Sequence, residues 1–530
     1  MARSPLFRDV QRWIGIATSP APSGESSAAS VERWRAASPG ATRRRVLQGA
    51  AGLGLSAALP VGAAPGGNGA SVAVVGAGFA GLYAASLLAG KGVLPTVFEA
   101  DRRIGGRVRT LRGFFPGQVA ELGAELIDTT HSTVRGLANA FGLALESYAA
   151  NKLLGDETYY FQGRHWTEAQ IVDEFRAFVG ALKADLSRLS NGPTALAYNA
   201  FDRQLDFTPL SDYLVQRGAG PLLREVLDVA YTIEFGRPIA QQSALSLLFF
   251  IAANKRSTFT PFGVFSDERF HVVEGNDAIA TGLAGRLPQP VRLGHRLRRV
   301  ARQADGRVRL SFDTDGGSLD TVHDAVVLTL PAPAMRQIEF AASVALPASN
   351  RFAIDRFDYG TNSKMMVGFR GRPWYERCNS NGGSYSDLAN HQSTWETNPS
   401  RSLPGVRGVI TDFSGGARGA ALSPSRTQAE AEAFLLDLDR VWPGSAGLAL
   451  RDGRNVRAVV RNWTQDPLFG GAYSNNQPGY FTTLEGLYAR PAGNVFFAGE
   501  HTDSFYAYQG FMEGALLSDA RAADEVLRSL

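Results

Sequence analysis

Cysteine is almost absent from this chain of 530 residues, which contains 1 cysteine, Cys378. A single thiol excludes an intramolecular disulfide. The sequence has no CxxC or HExxH motif and no His/Cys cluster at metal-ligand spacing, so no metal site is expected. No basic segment rich in aromatic residues is present, so the chain is not expected to bind nucleic acid.

Excess charge and long apolar runs are also scarce. The net charge is +4, and much of this surplus lies in the arginine-rich first 45 residues. The apolar stretch 49–63 is too short and too rich in glycine for a membrane span. The apolar and charged fractions, 44% and 20%, are those of a globular protein. The length is sufficient for two domains with substantial cores.

A glycine-rich turn follows the first apolar run, residues 72–75. It contains Gly76, Gly78 and Gly81 in the order G-x-G-x-x-G. The first glycine permits a tight turn, the second lets the backbone approach a diphosphate, and the third lets the helix at 82–88 pack on the strand. Glu99 follows about 20 residues later, where an acid hydrogen-bonds a ribose hydroxyl. The segment predicts dinucleotide binding, with an ordinary strand–helix turn as the alternative.

Two further segments favour a flavin dinucleotide over a nicotinamide one. After the acid, the chain turns at once through Gly105 and Gly106 into Arg107, where nicotinamide enzymes usually continue into another helix. The glycines let the backbone pass close to the diphosphate, and the arginine offers forked donors to anionic oxygen. Near the end, Phe-Ala-Gly-Glu-His-Thr at 497–502 precedes a predicted helix at 510–523.

The phrase E-A-x-x-x-x-G-G-R-x-x-T at 99–110, together with the segment at 497–502, resembles the flavin-containing amine oxidase family. Monoamine oxidases, polyamine oxidases and L-amino-acid oxidases share these motifs, and the resemblance covers the chain from about residue 71 onward. The segment E-L-G-A-E-L-I-D-x-x-H at 121–131 is most similar to exported bacterial L-amino-acid oxidases. The resemblance implies FAD as the cofactor. The cofactor-binding residues that it implies are Gly76, Gly78, Phe79, Ala80, Gly81, Glu99, Ala100, Arg103, Gly105, Gly106, Arg107, Gly123, Ala124, Glu125, Val300, Gly499, Glu500, Gly510, Phe511 and Met512.

The resemblance implies an α/β fold of two interleaved domains, as in amine oxidases and p-hydroxybenzoate hydroxylase. We assign 70–150, 265–345 and 455–530 to a Rossmann-like FAD-binding domain, and 151–264 and 346–454 to a mixed α+β substrate domain. Apolar spacing predicts helices over 168–189, 210–215 and 222–231 in the substrate domain. The runs 359–369 and 409–413 are typical of strands.

Four residues are candidate catalytic groups by resemblance. Lys364 matches a lysine that holds a water at flavin N5, with an edge-strand surface lysine as the alternative. Tyr473 and Phe511 match the aromatic walls beside the amine, and Trp463 would pack beside the flavin; plain core packing is the alternative for Tyr473 and Phe511. Ala472 stands where monoamine oxidases have a cysteine bonded to the cofactor. The resemblance therefore implies that FAD is bound non-covalently.

The chemistry implied by the resemblance is oxidation of an amino group to an imine, which hydrolyses, with O2 reduced to H2O2. Venom-type L-amino-acid oxidases have an arginine for the substrate carboxylate in the flavin-side loop, which corresponds to residues 121–131 here, and this chain has Leu126 or a near neighbour at that place and no arginine. Glu125 and Asp387 are candidates to pair with a cationic substrate side chain. The alternatives are a partner for Arg107 in the first case and a turn residue in the second. Tyr473 and Tyr508, with Tyr506 nearby, are further candidate substrate contacts.

The sequence therefore favours an L-amino acid as the substrate, which would give a 2-oxo acid and ammonia. Simple monoamines are the second choice and polyamines the third. A desaturase or isomerase on the same fold is a weaker alternative, since it would have an apolar tunnel in place of the aromatic walls. A flavoprotein that serves as a binding or redox partner without oxidase activity is another. The sequence leaves open whether the chain forms a homodimer.

The first 65 residues resemble a leader that lies outside the fold. Arginines at 43–45 precede the apolar stretch 49–63, with small residues near 62–64 for cleavage. This order is similar to a twin-arginine export signal, which implies the export machinery as a partner and a periplasmic or secreted location. A disordered basic leader or an alternative start is the other interpretation.

Overall fold

Gly76 and Gly81 shape the turn between the first buried strand and the helix that follows it. In the computed structural model, which describes residues 5–18, 25–37, 69–148, 155–252, 267–398, 407–504 and 507–530, Gly76 has φ +108°. A Cβ on Gly81 would lie 1.9 Å from the carbonyl oxygen of Gly76. Only glycine therefore lets the helix pack this closely on the strand.

The described residues form 21 strands of very unequal length. In chain order they are β1 Ser71–Val75, β2 Leu94–Phe98, β3 Thr110–Leu111, β4 Ala120–Glu121, β5 Leu145–Ser147, β6 Asp156–Phe161, β7 Arg164–Trp166, β8 Phe270–Val272, β9 Arg296–Arg302, β10 Val308–Thr314, β11 Gly317–His323, β12 Ala325–Leu328, β13 Glu339–Phe340, β14 Ser363–Gly368, β15 Ser380–Leu388, β16 His391–Glu396, β17 Val409–Ser414, β18 Arg451–Asp452, β19 Asn455–Val456, β20 Ala458–Asn462 and β21 Val495–Phe497.

The same residues form 17 α-helices and a few short 3-10 turns. The helices are α1 Pro5–Thr18, α2 Ser27–Ala37, α3 Phe79–Ala89, α4 Ser132–Ala140, α5 Glu168–Leu186, α6 Ala200–Asp206, α7 Leu210–Gln216, α8 Pro221–Phe235, α9 Ala244–Ala252, α10 Asp277–Ala284, α11 Ala332–Met335, α12 Ala348–Arg356, α13 Pro373–Cys378, α14 Gly416–Ala421, α15 Thr427–Val441, α16 Tyr480–Thr483 and α17 Met512–Ser529.

A parallel sheet with the strand order β2–β1–β12–β21 forms one half of the fold. Its strands come from distant parts of the chain, since Val72 pairs with Ala325 and Val326 pairs with Val495. The helices α3 and α17 pack against each other beside this sheet. A second sheet, β11–β10–β9–β13, lies between β8 and β14 in sequence. The α/β fold class predicted from the sequence is confirmed.

A seven-stranded sheet in the order β20–β14–β17–β16–β15–β6–β7 forms the other half. The interior strand β14 pairs on one side with β17 and on the other with β20, so that Lys364 lies opposite Phe413 and Arg461. The helices α5 to α9 pack together, and α8 contacts β15 of this sheet. The predicted helices at 168–189, 210–215 and 222–231 correspond to α5, α7 and α8.

Helix α1 is an integral part of the helical layer. Its side chains Val10, Trp13 and Ile14 are buried in the same core cluster as Phe175 of α5 and Leu223 of α8. Trp13 is fully buried and donates through Nε1 to Glu168 at 3.0 Å. The guanidinium of Arg12 also contacts Glu168, at 2.6 Å. The helix is therefore attached by both apolar and ionic contacts.

Helix α2 adds a second attachment to α5. Ser27 hydrogen-bonds to Asp173, and Arg176 donates to Ser27 at 2.8 Å and to Ser30 at 3.0 Å. These contacts correct the prediction that residues 1–65 form a leader outside the fold, because α1 and α2 pack on the substrate domain. An amphipathic helix within a basic segment was mistaken for part of a signal. The arginines at 43–45 and the apolar stretch 49–63 lie outside the described residues.

None of the helices in the described parts of the chain is both long enough and apolar enough to cross a membrane.

We expect replacement of Trp13 with alanine to destabilise the protein by about 3–5 kcal/mol, because it leaves a cavity under α1 and removes the donor to Glu168. Urea unfolding measures the change. Arg33→Ala is the control: its side chain is 48% exposed, so its pair with Glu25 should contribute little to stability. A Trp13→Ala variant as stable as the control would show that α1 does not belong to the core.

Candidate active site

A long cavity lies where the strands of the parallel sheet end. The residues after β1, β12 and β21 reach it through Gly76, Thr329 and Gly499. The carboxyl ends of parallel strands are the usual place for a ligand in such sheets. The cavity then continues to β14 of the seven-stranded sheet, where Lys364 lines it. It therefore joins the two halves of the fold.

Glycine backbone forms the wall at the nucleotide end. Gly78 and Gly105 form an isolated parallel bridge, and a Cβ on Gly106 would lie 3.2 Å from the Cα of Gly78. Gly105 and Gly106 both have positive φ, +97° and +57°. Side chains are excluded from this wall, and a diphosphate can approach the peptide groups directly.

Glu99 lies beside these glycines on the cavity wall. One oxygen of its carboxyl accepts the backbone N–H of Ala77 at 2.6 Å, and the other accepts that of Asp101 at 2.8 Å. Burial raises its pKa, although the two backbone donors oppose this effect. The side chain is thereby fixed at the end of β2, where the sequence predicts an acceptor for a ribose hydroxyl.

Arg107 joins three parts of the chain at the middle of the cavity. Its Nη1 donates to the carbonyl of Ala472 at 2.7 Å and to Glu500 at 2.9 Å. Ser474 donates to the other carboxylate oxygen of Glu500, also at 2.9 Å. The guanidinium carbon lies 5.5 Å from the ring centre of Tyr359. Glu500, and not Glu125, is thus the partner of Arg107.

The N-terminus of α17 forms another part of the wall. Gly510 has φ +84°, and Phe511 precedes the first helical residue, Met512; all three residues line the cavity. The first N–H groups of a helix have no partner inside the helix and carry its positive dipole end. This terminus is therefore suited to an electron-rich carbonyl or anion.

Lys364 and Glu125 form a buried ion pair at the other end of the cavity. The distance from Nζ to Oε2 is 2.5 Å, and the two side chains are 8% and 3% exposed. Lys364 also donates to the carbonyls of Glu121 and Gly123. Trp395 donates through Nε1 to the second oxygen of Glu125 at 2.9 Å. Lys364 is therefore a cavity residue and not a surface residue of an edge strand.

Aromatic side chains surround this end of the cavity. Trp463 donates through Nε1 to the carbonyl of Leu122 at 3.1 Å, and Arg461 lies 3.9 Å from its ring centre. The hydroxyl of Tyr473 lies 3.3 Å from the carbonyl of Ile233. These contacts fix flat apolar surfaces that can orient a substrate and exclude water.

The structure brings most of the predicted site residues to the cavity wall. They are Gly76, Gly78, Phe79, Ala80, Glu99, Ala100, Gly105, Gly106, Arg107, Gly123, Ala124, Glu125, Lys364, Trp463, Tyr473, Gly499, Glu500, Gly510, Phe511 and Met512.

Three residues predicted to bind the cofactor lie away from the wall. Gly81 packs α3 on β1, as described above. Arg103 donates to the carbonyls of Ile104 and Gly106, so it supports the turn from outside. Val300 is fully buried in the β11–β10–β9–β13 sheet, and its carbonyl accepts the N–H of Ala341. The cofactor-binding role predicted for Val300 is corrected: Leu297, on the same strand, lines the cavity instead.

Residues predicted for the substrate are corrected in the same way. Asp387 is an exposed residue near the end of β15 that accepts the backbone N–H of Gln162, and it lies outside the cavity. The hydroxyl of Tyr508 lies 3.3 Å from the carbonyl of Thr130, and this tyrosine does not line the cavity. Tyr506 lies outside the described residues.

Several lining residues were not singled out from the sequence. Asp128, Glu268 and Trp395 line the substrate end, and Leu297 lines the nucleotide end. Leu297 and Val300 are both apolar residues of β9, and the sequence alone does not show which of them lines the cavity. Packing decides this. Trp395 has no local signal, because its role depends on Glu125, which is 270 residues away in sequence.

The residues present fit FAD. The wall at Gly78 and Gly106 is bare backbone, and the N-termini of α3 and α17 both reach the cavity. Such termini bind phosphate and other anionic groups. Glu99 supplies the acceptor expected for a ribose. In the described parts of the chain, no group of three or more His, Cys, Asp or Glu residues could hold a metal ion.

Comparison with known proteins agrees with this geometry. The family described as flavin containing amine oxidoreductase matches residues 79–527. An L-amino-acid oxidase of Siganus canaliculatus is 28% identical over 476 residues, which is 86% of this chain and 85% of that protein. One from Mus musculus is 27% identical and covers 85% of this chain and 70% of that protein.

Solved structures share the fold at low identity. Wild-type putrescine oxidase bound to putrescine has a TM-score of 0.70 and 19% identity, and covers 87% of this chain and 99% of that chain. Cyclohexylamine oxidase from Brevibacterium oxydans IH-35A has a TM-score of 0.71, 22% identity and the same coverage. Because the family match extends over most of the sequence, the chain belongs to the flavin-containing amine oxidoreductase family and is an FAD-dependent oxidase.

Proposed function

We propose that the enzyme oxidises the amino group of an L-amino acid to an imine, which water hydrolyses to a 2-oxo acid and ammonia. When bound, FAD accepts a hydride equivalent from the C–H next to the amine and passes two electrons to O2, which gives H2O2. The observation that carries the oxidase part of the proposal is the cavity that runs from the glycine turn to aromatic walls beside Lys364, and the amino-acid part rests on the sequence relatives.

The residues of the chain orient the substrate and keep the cavity dry. Tyr473 and Phe511 supply flat walls, and Trp463 is held against the flavin-side loop by its bond to Leu122. Exclusion of water strengthens the electrostatic contacts inside the cavity. The sequence relatives support an L-amino acid as the substrate, since those described above are L-amino-acid oxidases.

A simple amine is the second candidate, and a specific observation favours it. The arginine and lysine residues of the described cavity wall are Arg107, Arg296 and Lys364. Arg107 is paired with Glu500 and Lys364 with Glu125, whereas Arg296 donates to Gln337 at 2.6 Å. Leu126 occupies the loop position of the venom-type arginine and lines the cavity. Two of these three cations are therefore already paired with a carboxylate, and the third, Arg296, lies on the same strand as Leu297 at the nucleotide end.

We propose that FAD is bound without a covalent link. Ala472 lines the cavity where monoamine oxidases have a cysteine, and Cys378, at the end of α13, does not line it.

We also propose export by the twin-arginine route, on the basis of the arginines at 43–45. Since α1 and α2 precede these arginines and pack in the fold, we expect the exported enzyme to retain them, and hence no cleavage near 62–64, because a cut there would separate both helices from the enzyme. A purified periplasmic enzyme that lacks both helices would contradict this.

Peroxide release distinguishes the two candidate substrate classes. We expect the purified yellow enzyme to produce H2O2 with one or more L-amino acids, and more slowly with tyramine, phenylethylamine, putrescine or spermidine. A peroxidase-coupled assay with all twenty L-amino acids and these amines makes the comparison. Turnover of amines alone would support the second candidate and exclude the first. The Leu126→Arg variant should then raise turnover of amino acids, because it supplies a cation for the carboxylate.

Replacement of Glu500 with glutamine should weaken FAD binding, because it leaves the guanidinium of Arg107 buried without its carboxylate. Loss of one member of a buried pair costs about 3–5 kcal/mol. We expect a Tm below that of the parent and a lower flavin-to-protein ratio, read from visible absorbance. Glu432→Gln removes an exposed pair with Arg451 and serves as the control. Equal flavin content in the two variants would argue against a role for Glu500 in the site.

A further inference from the structure

The ammonium of Lys364 has an acceptor for each of its protons. Nζ lies 3.3 Å from the carbonyl of Glu121, 2.8 Å from that of Gly123 and 2.5 Å from Oε2 of Glu125. An ammonium has three donors and no lone pair, whereas a neutral amine would present a lone pair to one of these oxygens. The three acceptors therefore fit the charged form. The three acceptors belong to every second residue from 121 to 125, so Lys364 links this loop to β14.

The carboxylate of Glu125 is equally well occupied. Its Oε2 accepts from Lys364, and its Oε1 accepts from Nε1 of Trp395 at 2.9 Å and from the hydroxyl of Tyr148 at 3.1 Å. An ionised carboxylate is an acceptor only, so three donors at one carboxyl group fit the charged form. The donors come from β14, from β16 and from the residue after β5, and Glu125 is the group that they share.

Other titratable groups lie near the Lys364–Glu125 pair but do not take the place of either member. The carboxyl of Glu121 points to Thr110 and to the N–H of Asn276, and burial raises its pKa to about 8. Burial also raises the pKa of Tyr148 well above its usual range. Arg461, opposite Lys364 on β20, is paired with Asp466 at 2.5 Å. Glu125 is therefore the carboxylate that balances the charge of Lys364.

We propose that Glu125 is the positioning residue for Lys364: it fixes the ammonium at the cavity wall, so the lysine acts beside the flavin as half of an ion pair. The inference rests on the proposed function, in which FAD occupies this cavity. This role differs from the substrate contact expected for Glu125, because its carboxylate already accepts hydrogen bonds from three side chains of the protein.

The test compares Glu125→Gln with Glu396→Gln as holoenzymes. Glu396 is a matched control because it is also buried, pairs with Arg372 and accepts from Nε1 of Trp374, but does not line the cavity. The first readout is the visible absorbance of the resting flavin, which responds to nearby charge, titrated from about pH 6 to 10 around the ordinary lysine range. The others are the Kd for FAD and the rate of flavin reduction at saturating substrate.

We expect Glu125→Gln to show an absorbance transition at least about one pH unit below any in the parent, because an unpaired buried ammonium favours its neutral form. Adding Lys364→Met should abolish this transition, which assigns it to the lysine. The rate of flavin reduction should fall by about 10–100-fold, because the ammonium of Lys364 would be misplaced. The Kd for FAD should stay within about threefold of the parent value. The Glu396→Gln titration should match the parent.

A Glu125→Gln titration identical to that of the parent and of Glu396→Gln would overturn the proposal. Trp395→Phe is the second variant if Glu125→Gln does not fold. It removes one donor to Glu125 and should move the transition in the same direction by a smaller amount, so an unchanged curve overturns the proposal as well. The titration needs no substrate. Its outcome is therefore separate from the question of which amine, if any, is oxidised.

Discussion

The contact between Arg107 and Glu500 is the constraint on which the site depends. The two residues are 393 positions apart, and the same guanidinium nitrogen also contacts the carbonyl of Ala472. Burial of an arginine is unfavourable unless its charge and its N–H groups are matched. The pairing therefore requires the glycine turn, the loop before Tyr473 and the segment before α17 to meet at one point. The cavity exists because these pieces close around it.

A second ion pair, Lys364–Glu125, lies at the far end of the cavity, so its two ends differ in chemistry. The nucleotide end offers bare glycine backbone, helix termini and one acid, which suit a diphosphate and a ribose. The other end offers aromatic surfaces and Lys364 neutralised by Glu125. An amine and a carboxylate place different demands on that end. The pairing of Lys364 makes it unavailable to an anionic substrate group, so the missing loop arginine becomes the central question for the substrate.

Local backbone chemistry explains what the sequence alone could predict. Gly76, Gly81, Gly105 and Gly106 determine their own turns, because only glycine tolerates the φ values or the close contacts involved. The nucleotide end of the site could be located from them. Apolar periodicity likewise located the helices α5, α7 and α8. These features depend on residues close in sequence, so no knowledge of the tertiary fold was needed.

Side-chain partners could not be predicted, because they depend on contacts between distant segments. Glu125 was assigned either to the substrate or to Arg107, and its partner is Lys364, 239 residues away. Asp387 had the right charge but lies exposed near the end of β15, outside the cavity. The basic composition of the first 65 residues concealed α1, whose apolar face has a function only against α5 and α8. Composition describes a segment, whereas packing decides whether it belongs to the fold.

Anaerobic reduction of the bound flavin tests the central claim most directly. The oxidised holoenzyme is mixed without oxygen with each amino acid or amine, and its visible absorbance is followed. The account predicts that a substrate with a primary amino group bleaches the flavin, and that admission of air restores the absorbance with release of one H2O2 per flavin. A flavin that remains oxidised with every amine, or that only a substrate without an amino group reduces, would contradict the account.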